Sequence, residues 1–140
     1  MSADAAPLPE RDLRILLAHM EPYLNEGEFV FCSLAANELL TCGLQPLATF
    51  WEREGLSVIA TRQDADRAGW PYDFVARMIT LRIPSSLHAV GLIAAIAGRL
   101  ARAGISVNPV AACFHDYFFV PTERADEALR LLEGMGRAEV

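Results

Sequence analysis

The chain repeats nearly the same order of strand and helix patterns in its two halves, and no other sequence feature constrains the fold as strongly. Residues 11–71 are predicted to form a helix, three strands and a helix, and residues 72–140 a strand, a helix, two strands and a helix. Residues 1–10, rich in alanine and proline, are predicted to form a loose tail. Strands joined by a tight turn such as Glu54–Gly55 pair in an antiparallel sheet. The chain is therefore expected to be an α+β protein, with helices on one face of antiparallel sheets.

Apolar residues mark the individual elements. Phe29–Leu34 is apolar on both alternating faces, as is typical of a strand in the middle of a sheet. Pro109 falls inside another predicted strand, and because proline has no N–H, an edge position or a bulge is expected there. Residues 37–43 are expected to form a loop with one helical turn at most. The predicted strands are residues 29–34, 47–54, 56–61, 75–83, 105–114 and 117–120. Two helices are predicted at residues 11–21 and 62–68. A third helix is expected to follow Ser85–Ser86 and end at Gly104, and a fourth to be capped by Thr122.

Each half lacks one strand of the βαββαβ unit of the ferredoxin-like fold, so two tandem units of this type are predicted. The order of elements leaves open whether the two incomplete halves exchange strands to complete each other. Such a sheet has one face without helices, which would leave part of an aromatic cluster exposed, and we expect self-association through sheet edges or faces. That cluster lies in the last predicted hairpin and comprises Phe114, Tyr117, Phe118 and Phe119.

The charged residues and cysteines exclude several classes of function. All twelve basic residues are arginine, which excludes lysine Schiff-base chemistry and lysine-dependent phosphate loops. The net charge of −6 disfavours nucleic-acid binding. Cys32, Cys42 and Cys113 lack the spacing of a zinc site, so neither a metal nor another cofactor is expected. Apolar stretches are too short to span a membrane and no signal peptide is evident, so a soluble cytoplasmic protein is expected.

Two stretches of the second half resemble the signature of the ACT domain, in which a Gly-Leu pair opens a helix and Leu-Ala-x-x-Gly-Ile precedes the next strand. They are SSLHAVGLI at residues 85–93 and LARAGISV at residues 100–107. With further matches at residues 29–32, 48–50, 54–56 and 115–116, the chain is similar over about residues 12–133 to a family of small bacterial proteins with two tandem ACT-like units. It is similar more distantly to the regulatory ACT pairs of aspartate kinases and to cytosolic arginine sensors of animal cells.

The resemblance implies a regulatory protein that binds an amino acid or a similar metabolite at the loop between the first strand and the first helix of an ACT unit. It also implies pairing with a second copy, edge to edge, into a dimer. The candidate ligand-binding residues are Ser85, Ser86, Leu87, Val90, Gly91, Asp116 and Glu54.

The chemistry of these residues suits such a ligand. N–H groups at the start of a helix attract a carboxylate, and the hydroxyls of Ser85 and Ser86 would add donors, although the same serines would also cap the helix. Gly91, expected one turn inside that helix, would allow either close helix packing or close approach of a ligand. Asp116 is the candidate acceptor for an ammonium group, and Glu54 is a second candidate.

Two other functions stay open. The same fold with an empty ligand site would serve as a structural or protein-interaction module, with an oligomeric state that metabolites do not change. A small enzyme would need His115, or the carboxylates of Glu52 and Glu54, to share a pocket with a nucleophile. The favoured function is an amino-acid-binding regulatory protein without a catalytic domain.

Overall fold

The computed structural model describes residues 9–138, which form one antiparallel sheet of seven strands with helices packed on one face. The strands are β1 (Pro22–Leu24), β2 (Phe29–Leu34), β3 (Ala48–Trp51), β4 (Leu56–Thr61), β5 (Val75–Leu81), β6 (Asn108–Ala111) and β7 (Asp116–Pro121). The helices are α1 (Leu13–Ala18), α2 (Ala36–Cys42), α3 (Arg62–Ala68), α4 (Leu92–Arg102) and α5 (Ala125–Ala138), with a 3-10 turn at Thr122–Arg124. The strand order is β3-β4-β2-β5-β7-β6, and β1 pairs with β5. The predicted α+β, ferredoxin-like architecture is confirmed.

The two halves of the chain complete each other through β5. The end of β5 pairs with β1, where Leu24 lies opposite Ile79. The start of β5 pairs with β2, where Val30 lies opposite Val75. The N-terminal β1 therefore supplies the fourth strand of the second unit, beside β5, β7 and β6. In return, the start of β5 supplies the fourth strand of the first unit, beside β2, β4 and β3. The halves thus exchange strands within a single chain.

Helix α1 packs in the second unit although it precedes the first unit in the sequence. Its residue Leu16, together with Met20, lies in the core formed between the sheet, α4 and α5. A separate core beneath α2 and α3 contains Trp70. The division into residues 11–71 and 72–140 stays a prediction about sequence boundaries, but in space α1 and β1 belong with the second unit.

The face of the sheet without helices is concave and covers most of its own aromatic residues. Phe119 is buried there and packs edge-to-face against Phe29 and Phe31, with ring centroids 5.9 and 5.4 Å apart. Phe118 lies on the helix side and is also buried. Although β3 and β6 lie at opposite ends of the strand order, residues from both line one cavity on this face, so the sheet curls strongly. Of the aromatic cluster in the last hairpin, Phe114 stays exposed.

Helix α2 and the start of α5 differ from the prediction. Helix α2 occupies residues where a loop was expected, because the Glu38 carboxylate accepts the Ala35 N–H at 3.0 Å and Gly43 ends the helix in a left-handed conformation. The hydroxyl of Thr122 does not cap α5; it donates to Glu28 at 2.8 Å, and a 3-10 turn precedes the helix.

The predicted edge position of Pro109 is confirmed, since β6 is the last strand of the sheet. This strand is shorter than expected, and Asp116 begins β7 instead of lying in a turn. None of the helices described between residues 9 and 138 is long and apolar enough to cross a membrane.

Candidate ligand-binding site

The loop between β5 and α4, residues 82–91, is anchored by backbone hydrogen bonds on two sides. The N–H of Ser85 donates to the carbonyl of Phe114 at 2.7 Å, and the N–H of Ser86 donates to the carbonyl of Glu10 at 2.7 Å. The N–H of Glu10 donates in turn to the carbonyl of Pro84 at 2.9 Å. The start of the loop is therefore fixed between Glu10 and the β6–β7 hairpin. Glu10 is thus not part of a loose tail, as was predicted for residues 1–10, and residues 1–8 of that prediction lie outside the described residues.

A buried polar pair lies at this loop. Asp116, the first residue of β7, is 6% exposed, and Ser85 is 4% exposed. The hydroxyl of Ser85 donates a hydrogen bond to Oδ2 of Asp116. Within residues 9–138, the Asp116 carboxylate takes part in no ion pair. A buried carboxylate that is bonded only to a neutral hydroxyl would be stabilised by a cationic partner, because hydrogen bonds between charged groups are stronger than those between neutral groups.

His115 and Asp116 are neighbours in sequence but face different partners. Nδ1 of His115 lies 3.2 Å from the carbonyl oxygen of Leu81. The Ser85 hydroxyl bonds to a carboxylate instead of to the imidazole that would activate a serine nucleophile. In the part of the chain that the structure describes, no group of three or more His, Cys, Asp or Glu residues is placed to hold a metal ion. Ser85 is therefore not arranged as a nucleophile activated by His115.

Helix α4 begins at Leu92, with Gly91 and not the serines before it. Gly91 is the N-cap with a φ of 100°, and the N–H of Ala95 donates to its carbonyl at 2.9 Å. The prediction that the serines cap this helix is wrong, because the Ser86 hydroxyl accepts the N–H of His88 inside the loop, at 3.0 Å. The N–H groups of residues 92–94 precede the first helical hydrogen bond. They have no acceptor within the helix and carry the partial positive charge of its N-terminus.

The loop, the first turn of α4 and the β6–β7 hairpin enclose a cavity of about 130 Å³. Four of the candidate residues, Ser86, Leu87, Gly91 and Asp116, line it, and Ser85 is joined to it through Asp116. The lining residues that sequence reasoning missed are small or apolar: Ala89, Leu92, Ile93, Ala94 and Ala111. Ala111 lies opposite Asp116 in the strand register, so knowledge of the β6–β7 pairing would have found it.

Two candidate residues lie away from this cavity. Val90 is 81% exposed and does not line it. Glu54 is exposed in the turn between β3 and β4. By strand register this turn lies beside the end of β2, where Leu34 pairs with Leu56, whereas Asp116 lies beside the end of β5 that does not pair with β2. One chain therefore does not bring Glu54 to the site.

A second polar cluster lies where β1 gives way to β2. Glu28 accepts hydrogen bonds from the Thr122 hydroxyl at 2.8 Å and from Nη1 of Arg62 at 3.1 Å, and these bonds lower the pKa of the Glu28 carboxyl. Nε of Arg62 donates to the hydroxyl of Tyr72 at 3.0 Å, which donates to Asp66 at 2.6 Å. These groups satisfy one another, so the cluster joins the two units structurally.

Comparison with known families decides the classification. Two models, each described as an ACT domain, match residues 9–77 and residues 74–134. The chain belongs to the ACT-domain family. The two matches overlap at residues 74–77, where β5 begins to pair with β2, so the two ACT units meet at the strand that they share. No curated protein matches the chain.

Solved structures share the tandem ACT fold. A protein of unknown function from Vibrio cholerae, described as a possible transport protein, is 40% identical, with 89% of this chain and 95% of that chain covered and a TM-score of 0.78. An Agrobacterium tumefaciens protein is 16% identical, with 82% and 87% covered and a TM-score of 0.68. The regulatory subunit of aspartate kinase from Thermus flavus is 11% identical, with 84% and 98% covered and a TM-score of 0.62. The last two likenesses establish the fold alone.

The two ACT units differ at the loop that follows their first strand. In the second unit this loop spans residues 82–91 and encloses the cavity. In the first unit β2 ends at Leu34 and α2 begins at Ala36, so a single residue, Ala35, connects them. The Glu38 side chain already accepts the Ala35 N–H, at 3.0 Å. Only the second ACT unit therefore has space for a ligand at this position among the residues described.

Proposed function

We propose that this ACT protein is a non-catalytic regulatory protein of the cytoplasm that binds an amino acid in the cavity of its second unit. The observation that carries the proposal is the placement of Asp116, a buried carboxylate that lines the cavity without an arginine or histidine partner within the described residues. Opposite charge is available in the same cavity at the first turn of α4.

These two groups suit the two charges of an α-amino acid. The ligand ammonium would bind Asp116, and the ligand carboxylate would accept hydrogen bonds from the free N–H groups at residues 92–94. The walls supplied by Leu92, Ile93 and Ala111 are apolar, and Asp116 is the one charged residue among those that line the cavity. With a volume of about 130 Å³, the cavity suits a ligand with a small, uncharged side chain.

The experiment is a thermal-shift screen of the wild-type chain against the twenty common amino acids, followed by calorimetric titration of those that stabilise it. A ligand at about 100 times its Kd stabilises the folded state by about 2.7 kcal/mol. Asp116→Asn keeps the shape of the side chain but removes its charge, and is expected to weaken binding at least tenfold. Asp73→Asn, at an exposed loop position, is the matched control and should bind like the wild type. Absence of any stabilising amino acid, or equal binding by Asp116→Asn, would contradict the proposal.

A second candidate, a dimer formed through β3, rests on a separate observation. This edge strand carries Phe50 and Trp51, which are 73% and 71% exposed. The opposite edge, β6, contains Pro109, which lacks an N–H and blunts strand pairing. We propose that two copies pair through their β3 edges.

Sedimentation velocity tests the dimer. Phe50→Ser is expected to raise the dimer dissociation constant at least tenfold, whereas Phe114→Ser, at the β6 end of the sheet, should leave it unchanged. A wild-type chain that is monomeric at 100 µM, or equal effects of the two substitutions, would oppose this interface. If the dimer forms while no amino acid binds, the interaction-module function is the better one.

A further inference from the structure

A second cavity lies on the concave face of the sheet, away from the proposed amino-acid site. Its volume is about 220 Å³. Its lining residues come from both edges and from the middle of the curled sheet: Leu47, Ala48, Ile59, Val110, Ala112, Tyr117 and Phe119. Strand alternation separates the two cavities, because Asp116 and Phe118 face the helices whereas Tyr117 and Phe119 face the concave side.

The shape of this cavity follows from residue size. Ile59 and Phe119 are buried members of the concave-face core. Ala48 on β3 and Ala112 after β6 contribute single methyl groups from the two edges of the sheet. Larger side chains at these two positions would fill the space. The small residues therefore keep the cavity open between the two edges.

The lining of this cavity is almost wholly apolar. The hydroxyl of Tyr117 is the one polar side-chain group among the lining residues, and none of them is an acid, an arginine or a histidine. Water needs two to four polar partners to be held well in such a place, and apolar cavities are poor sites for it. The exposed side chain of Leu47 extends the apolar lining toward solvent.

We propose that the concave-face cavity binds a small, neutral, largely apolar molecule about the size of a one- or two-ring aromatic compound. Size supports this class, since an apolar cavity of about 150 Å³ in another protein holds benzene. Charge also supports it, because the lining offers no counter-ion to an ionised ligand. The rings of Tyr117 and Phe119 provide surfaces for aromatic contact.

Indole is the probe for this site, and its binding is measured by isothermal titration calorimetry and by shifts of the methyl signals of Ile59 and Val110. Ala112→Leu places a larger side chain in the cavity and is expected to weaken indole binding at least tenfold. The matched control is Ala101→Leu on the exposed surface of α4, which should bind indole like the wild type. Ala48→Leu, from the opposite edge, should repeat the effect of Ala112→Leu and serves if that variant does not fold.

Three variants separate this cavity from the other proposals. Asp116→Asn should bind indole normally even if amino-acid binding is lost, so failure at one site is distinguishable from failure at the other. The proposal is overturned if millimolar indole does not bind, or if both leucine variants bind it like the wild type. It is also overturned if Ala112→Leu, which lies away from the proposed β3 interface, dissociates a dimer that the wild type forms, because a second copy would then occupy the cavity.

Discussion

Substitution of Leu16 tests directly whether α1 is an integral part of the second ACT unit. Leu16 lies on α1, ahead of the first unit in the sequence, yet its side chain is fully buried in the core of the second unit. If α1 is an integral part of that core, Leu16→Ala should destabilise the protein severely. If α1 is a loosely attached N-terminal segment, the substitution should have little effect.

The expected magnitude follows from the burial of the side chain. Leu16→Ala removes three carbon atoms, each worth about 0.8 kcal/mol when buried, or about 2.4 kcal/mol in all. The cavity left behind adds to this, and buried leucine-to-alanine substitutions cost about 2–5 kcal/mol. We expect a loss of about 3 kcal/mol in the free energy of unfolding. Ile15→Ala removes the same number of carbons from the same helix, but Ile15 is 44% exposed, so its loss should be only about 1.3 kcal/mol.

The assay is urea denaturation followed by two signals. Far-UV circular dichroism reports on the whole chain, whereas fluorescence from Trp70 reports on the core of the first unit, where this residue is buried. Trp51 would be replaced by phenylalanine in all variants to leave one reporter. Because β5 pairs with strands of both units, Leu16→Ala should shift both signals to the same lower midpoint. Equal losses for Leu16→Ala and Ile15→Ala, or a Trp70 transition that does not move, would refute the shared-strand reasoning.

The remaining predictions concern backbone conformation and one carboxyl group. Gly91→Ala should destabilise the chain by about 1–2 kcal/mol, because φ is 100° and the new Cβ would lie 3.1 Å from a methyl of Leu13. Gly134→Ala, inside α5 with open space around it, should instead stabilise by about 0.5–1 kcal/mol in the same urea assay. Thr122→Val removes the largest cause of the lowered Glu28 pKa, so a carboxyl NMR titration should show that pKa rising toward its ordinary value. A carboxyl whose pKa is lower in the folded than in the unfolded protein stabilises the fold above the unfolded pKa, and this stabilisation is lost as the pH falls through the folded pKa. The difference in the free energy of unfolding between wild type and variant should therefore shrink in acid. An unchanged Glu28 pKa would contradict the assignment.

Local signals were enough to predict several elements. Helix α3 was predicted at its observed bounds, because the Thr61 side chain accepts the N–H of Asp64 at its start and Gly69 adopts a left-handed conformation at its end. Strand β2 was also predicted at its bounds, since burial on both faces gives a continuous apolar run. Both kinds of signal lie within the element itself.

Pairing between distant segments could not be predicted in the same way. Nothing in residues 22–24 indicates that they pair with the end of β5. The start of α4 was also misplaced at the serines, because serines are common helix caps, whereas the observed N-cap is Gly91 in a left-handed conformation. Glu54 was a candidate because its carboxylate could accept an ammonium group. Its separation from the site follows from the strand order and directions, which only the assembled sheet shows.

The two ACT units differ in structure, and the differences would suit the two proposed roles. The first unit has a one-residue connection at Ala35 and presents Phe50 and Trp51 on an open edge, which suits association. The second unit has the long loop, the buried Asp116 and a proline on its own edge, which suits ligand binding and opposes association there. Because β5 is paired in both units and runs directly into the ligand loop, the element that joins the units also bounds the proposed site. A ligand that stabilised this loop would therefore also act on β5. Because the first unit needs β5 to complete its sheet, binding in the second unit would influence assembly through the first.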